Sequence, residues 1–145
     1  MPNINDAEIT GIYVSQTVPG GVQDDAPNAP VGGSITPGTQ FDVTLEMVAG
    51  TALFSEVYTL AVSCSDLTTT TDAAGLVPAF PPGSPSTVGA APWKSAGSYY
   101  TYDDNQTVNV PGGAGGGQVY QYTASLITAN GEVASIKQSV PFVLY

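Results

Sequence analysis

The sequence contains no histidine and no arginine, and its only two basic side chains are Lys94 and Lys137. Without histidine, no Ser-His-Asp or Cys-His relay can be assembled, and the commonest metal ligand is missing. Two cations against 12 acidic residues leave a formal charge of −10. Phosphate contacts need clustered Lys and Arg, so nucleic acid is excluded as a partner, and an anionic membrane surface with it. Cysteine occurs once, at Cys64, which rules out an intrachain disulfide and any cysteine-built zinc site. No run approaches the roughly 18 apolar residues of a membrane-spanning helix. Met1 is followed by Pro, Asn and Asp rather than a basic segment and an apolar run, so no signal peptide is expected and synthesis is placed in a cytoplasm.

What is present is a chain able to fold. At 145 residues, 42% of them hydrophobic, it has the length for one domain, residues 1–145, burying roughly 68–70% of its unfolded surface. Alternation of period two recurs, and no 3.6-residue pattern lasts long enough for a helix. In residues 40–48, Phe41, Val43, Leu45 and Met47 share one face while Asp42, Thr44 and Glu46 share the other. Residues 56–64 place Tyr58, Leu60, Val62 and Cys64 together, with Val57, Thr59, Ala61 and Ser63 opposite. Residues 118–128 align Tyr120, Tyr122, Ala124 and Leu126, and residues 132–144 align Ala134, Ile136, Val140, Phe142 and Leu144. Asn130-Gly131 between these two predicts a hairpin with a type I′ turn, both central residues at positive φ. Weaker strands are predicted over 8–15, 98–102, 106–110 and 87–90. About seven strands, no helix and Gly/Pro-rich turns make the fold class all-β, a sandwich or barrel.

Thr36-Pro37-Gly38-Thr39-Gln40-Phe41 leading into a strand B, Gly117-Gln118-Val119-Tyr120-Gln121-Tyr122 as strand F, and the Asn-Gly hairpin into strand G together resemble the immunoglobulin-like, or fibronectin-III-like, antiparallel β-sandwich. The resemblance covers about 100 residues. It implies a tyrosine near the start of strand F whose hydroxyl bonds backbone at the E–F corner, and Tyr120 is the position that matches. The disulfide and strand-C tryptophan of antibody domains are missing. Residues 17–39 and 67–97 exceed what a minimal sandwich needs, and loops of that length are usually functional or disordered. The second is too apolar for a disordered linker, holding Leu76, Val77, Phe80 and Trp93 with only Asp72 and Lys94 charged.

The chemistry that could sit on such a scaffold is thin. Asp24-Asp25 and Asp103-Asp104 are carboxylate doublets, but neighbours on a strand point to opposite faces and cannot flank one glycosidic bond. Asp103-Asp104-Asn105 lacks the alternating pattern of a calcium loop and reads as an acidic turn. Whether calcium or a glycan is bound stays open, although the sequon Asn105-Gln106-Thr107 is expected to be unmodified. The run Gly112–Gly117 is followed by neither Lys nor helix and is no phosphate cradle. Lys137 falls by parity opposite Ile136, Val140 and Phe142 and is expected to face outward, away from any isopeptide partner. Cys64 reads as a small buried hydrophobe. No cofactor and no metal are expected, and the chain is read as no enzyme.

A rigid sandwich with long, uncharged, apolar loops points to protein partners. Residues 17–39 and 67–97 are expected to clasp neighbouring subunits, with Leu76, Val77, Phe80, Trp93, Tyr99 and Tyr100 as the partner-binding residues. A small acidic immunoglobulin-like protein is similar to the decoration or cement proteins of tailed-phage capsids, and the fold also occurs in their tails. That resemblance implies a homo-oligomer in the virion, bound to the major capsid protein or to copies of itself with its acidic face outward. The alternative is a carbohydrate- or receptor-binding module of tail or surface-adhesin type using Trp93, Tyr99, Tyr100 and Tyr102. A bacterial surface or pilus-like subunit is a third reading, one that requires export.

Overall fold

In the computed structural model, the described residues are 5–16, 34–35, 40–80, 86–109 and 118–144. Asp24-Asp25, Gly112–Gly117, the segment 36–39 and nearly all of the first long arm lie outside them. The described chain builds β1 (Ala7–Gln16), β2 (Ser34–Ile35), β3 (Gln40–Gly50), β4 (Val57–Asp66), β5 (Thr71–Asp72), β6 (Ser86–Thr87), β7 (Lys94–Ser95), β8 (Tyr99–Asn109), β9 (Gln118–Thr128), β10 (Val133–Gln138) and β11 (Phe142–Leu144). Its helical content is two single 3₁₀ turns, Thr51–Leu53 and Ala74–Leu76.

One sheet runs β1-β3-β8-β7; the other runs β2-β11-β9-β4-β5, with β10 on β9 and β6 on β4. In immunoglobulin lettering β1, β3, β8 and β7 stand as A, B, E and D, while β4, β9 and the β10–β11 pair stand as C, F and G. The fold is therefore an all-β, immunoglobulin-like antiparallel sandwich, and its strand order alone establishes this. Alternating side chains fill the interior: Phe41, Val43, Leu45 and Met47 from β3 meet Tyr122, Ala124 and Leu126 from β9, all buried. Phe142 stacks on Tyr122, with centroids 5.5 Å apart and planes at 15°. It also packs against Phe41 of the opposite sheet at 5.5 Å.

Several expectations from the sequence need correction. Residues 98–110 do not form two strands around an acidic turn: β8 is continuous, and Asp103, Asp104 and Asn105 pair in mid-strand with Glu46, Leu45 and Thr44. The hairpin does form, but Gly131 (φ 85°) takes the left-handed conformation without Asn130. Gly131 N–H donates to the Thr128 carbonyl and Thr128 N–H to that of Glu132, which is a three-residue loop with a type I turn closed by glycine. The tyrosine hydroxyl that pins a loop carbonyl is Tyr122's, donated to Leu76; Tyr120's hydroxyl donates to Gln118 Oε1 at 2.9 Å.

Parity fails along the last strand because of two bulges. Val133 pairs with Ile127 but Ser135 with Leu126, so Ala134 is an extra residue. Ser139 N–H bonds the Tyr122 carbonyl while Phe142 pairs with Tyr120, so another is inserted before β11. Each insertion turns the following side chains over. Between the two, Ser135 and Lys137 stand opposite the inward Leu126 and Ala124, whereas Ile136 faces out. Ile136 and Val140, expected in the core, are 58% and 66% exposed; Phe142, beyond the second bulge, is buried as its parity predicts. β1 carries its own bulge between Ile9 and Gly11, where Ile9 N–H donates to Ser135 Oγ at 3.0 Å. The edge strands of the two sheets are tied there.

Residues 73–80 and 86–93 close the opposite side of the sandwich. Ala73 N–H bonds the Cys64 carbonyl and Val88 N–H that of Glu56, and Leu76, Phe80 and Val88 enter the core. Tyr122→Phe deletes the hydroxyl that holds this wall and leaves the Leu76 carbonyl without its donor. Urea unfolding should show a loss of about 1–3 kcal/mol, the usual cost of orphaning a buried polar group.

Candidate partner-binding surface

The six residues singled out from the sequence do not form one exposed patch. Leu76, Phe80 and Trp93 are core residues, and none is more than 5% exposed. Trp93 meets Tyr102 edge-on at 5.6 Å and 62°, and its indole N–H donates to Ser86 Oγ at 2.7 Å. Val77, Tyr99 and Tyr100 are half-buried. Among the described residues of 67–97, Leu76, Phe80, Val88 and Trp93 seal the sandwich, whereas Leu67 is 43% exposed. Tyr100 does reach the surface, where Phe54 stacks on it at 6.0 Å and 30°. Phe54 is 59% exposed and its ring lies over Gly89, where a Cβ would fall 2.5 Å from ring carbon Cδ2. Phe54 escaped the sequence reading because it falls in the turn between the predicted strands 40–48 and 56–64.

The broader feature is the contrast between the two outer faces. On the β1-β3-β8 face, the residues alternating with the core include Glu8, Asp42, Glu46 and Asp103. Lys94, at the rim on β7, lies level with Thr101 on this face. Glu46 and Asp103 are directly opposite each other across β3 and β8, a like-charge pairing that works against the sheet. Asp42, though outward, is buried and accepts from Thr107 Oγ1 at 2.8 Å. Among the described residues no cluster of three or more His, Cys, Asp or Glu is placed to hold a metal ion.

Among the described residues, the outward side chains of the β4-β9-β10 face are uncharged. Its residues are Val57, Thr59, Ala61 and Ser63 from β4, Gln121, Thr123, Ser125 and Ile127 from β9, and Val133, Ile136 and Gln138 from β10. Asp72 on β5 lies beyond its rim, level with Ser65. Val133 is 57% exposed, and with Ile136 and Val140 it makes an apolar strip along the β10 margin. Apolar side chains gathered on one uncharged face are what partner-binding surfaces present.

The remaining candidate groups are inert. Burial pushes the Cys64 thiol up to about 12, a hydrogen bond from Gln121 offsetting part of the rise and Asp66 adding to it. Cys64 therefore stays protonated at neutral pH and is no nucleophile. Burial likewise raises Tyr102 and Tyr122 above the ordinary phenol range, with smaller contributions from Asp104 and Cys64 respectively. Lys137 is exposed, as expected, although it projects from the inner side of an edge strand.

No family model matches the chain, and no curated protein does. Among solved structures, a Niemann-Pick type C2 protein from the Japanese carpenter ant covers 99% of this chain and 96% of its own length at 11% identity, with a TM-score of 0.48.

Trp93→Ala separates a core role from a sugar-stacking one. It should cost about 3–5 kcal/mol in urea unfolding, as emptying a buried aromatic site does. Near-wild-type stability combined with lost polysaccharide retention would instead make Trp93 a binding platform.

Proposed function

We propose that this protein is a non-enzymatic structural subunit, a capsid decoration or cement protein of a tailed-phage virion. It seats its uncharged β4-β9-β10 face on neighbouring protein and leaves the acidic β1-β3-β8 face toward solvent. The observation that carries the reading is the division of charge between the faces: carboxylates at Glu8, Asp42, Glu46 and Asp103 on one, and uncharged outward side chains of β4, β9 and β10 on the other, with Glu132 and Lys137 at its β10 margin. A chain of net charge −10 repels its own copies wherever carboxylates meet. The neutral face is where two copies, or a copy and a capsid subunit, can approach without that penalty, and burying Val133, Ile136 and Val140 adds the hydrophobic gain. The outward acidic face keeps assembled particles apart. The carbohydrate-binding alternative loses Trp93 and Tyr102 to the core.

Sedimentation tests the reading. The purified chain should self-associate or co-sediment with capsid shells. Ile136→Asp, on an exposed strand position where the stability cost is less than about 1 kcal/mol, should abolish that behaviour, and Asp103→Asn should not. A monomer that ignores capsid shells, or association indifferent to Ile136→Asp, contradicts it.

A further inference from the structure

The second site is the edge of β4. β4 is hydrogen-bonded along one side to β9 over its whole length, from Tyr58 opposite Thr128 to Asp66 opposite Tyr120. Along its other side, among the described residues, it is paired only at the ends, with β6 at Val57 and Tyr58 and with β5 at Ser65 and Asp66. The phase of the hydrogen bonds decides which groups lie bare between them. Thr128 N–H bonds the Glu132 carbonyl and Ser139 N–H the Tyr122 carbonyl, so even-numbered residues of β9 turn their backbone toward the β10 side. Residues opposite them, Leu60 facing Leu126 and Val62 facing Ala124, turn theirs away from β9, because groups in an antiparallel pair alternate. The Cys64 and Glu56 carbonyls obey the same phase, accepting from Ala73 and Val88 on that outer side. Among the described residues, no backbone hydrogen bond reaches the N–H and C=O groups of Leu60 and Val62 there.

Those groups face a slot. Leu60, Ala61 and Val62 form one wall and Val77, Pro78, Ala79 and Phe80 the other, around a cavity of about 330 Å³ with no ionisable side chain in its lining. The edge between the two short pairings, Thr59 to Ser63, spans roughly 13 Å at ~3.3 Å per residue. Exposed carboxylates flank it, Glu56 at one end and Asp72 at the other. We propose that this slot receives one extended peptide strand of a protein partner, uncharged and β-branched in its centre and basic at both ends. Backbone donors and acceptors at strand spacing supply the pairing, the apolar walls hold alternate side chains, and the carboxylates select the ends, as in strand addition to an open sheet edge. The site adjoins the neutral face proposed above and shares Ala61 with it, while β9 separates it from Ile136 on β10.

The probe is a fluorescein-labelled heptapeptide, Lys-Val-Thr-Val-Thr-Val-Lys, followed by anisotropy and by amide hydrogen exchange of the intact chain. In the free protein the Leu60 and Val62 amides should exchange much faster than those of Ala61 and Ser63. Peptide binding should slow Leu60 and Val62 at least tenfold. Val62→Pro, which deletes one slot-facing donor without touching the β9 ladder, and Ala79→Trp, which fills the slot, should each weaken binding tenfold or more. Ile136→Asp should leave binding unchanged, so that failure here is distinct from failure of the proposed function. Leu60 and Val62 amides already protected in the free chain, no peptide binding, or binding that both slot variants leave intact would each overturn the proposal.

Discussion

The structure turns on Tyr122. Its ring packs between Phe41 of one sheet and Phe142 of the other strand bundle, and its hydroxyl holds the Leu76 carbonyl of the side wall. Its backbone N–H and carbonyl both engage Ser139, through Oγ and N–H respectively, which fixes the break between β10 and β11. One residue thus joins the two layers, the wall and the irregular last strand. Fully buried, it can do so only with every polar atom partnered, since an unpartnered group at that depth costs as much as several packing contacts gain.

The break that Ser139 fixes has a consequence for the surface. Two one-residue bulges, separated by four paired residues, reverse the side chains of β10 and then restore them. Ile136 is sent outward and Phe142 is kept inside. A regular strand would have buried Ile136 and left that margin polar. Strand edges are commonly guarded by charge or bulges; β8 carries Asp103 and Asp104, whereas β10 is bulged but apolar on its outer face. Its exposed strip adjoins the face that lacks carboxylates, and this coincidence of apolar surface with missing charge gives the chain one face suited to contact and one suited to water.

Much of this was legible in the residues. The alternation over 118–128 marked β9 with its bounds, and Phe41, Val43, Leu45 and Met47 were read correctly as one buried face. What alternation cannot reveal is an inserted residue: nothing in Ala134 or Val140-Pro141 announces a bulge, so parity carried Ile136 and Val140 into the core. The wall at 73–80 and 86–93 was misjudged for a different reason. Its Pro-rich spacing forbids regular strands and resembles a surface loop, while the need that buries Leu76, Phe80 and Trp93 comes from a gap between sheets that only the assembled fold possesses. Tyr120 and Tyr122 share a face and differ in depth, which sequence position alone does not report.

If the wall belongs to the same core as the sheets, it must melt with them. Trp93 lies in that wall, so its emission follows the wall while far-ultraviolet dichroism follows the sheets, and urea unfolding watched by both signals asks the question directly. Superimposable transitions with one midpoint are the predicted result. Trp93 becoming solvent-exposed at a lower urea concentration than the loss of strand signal would make this wall a detachable arm and contradict the account.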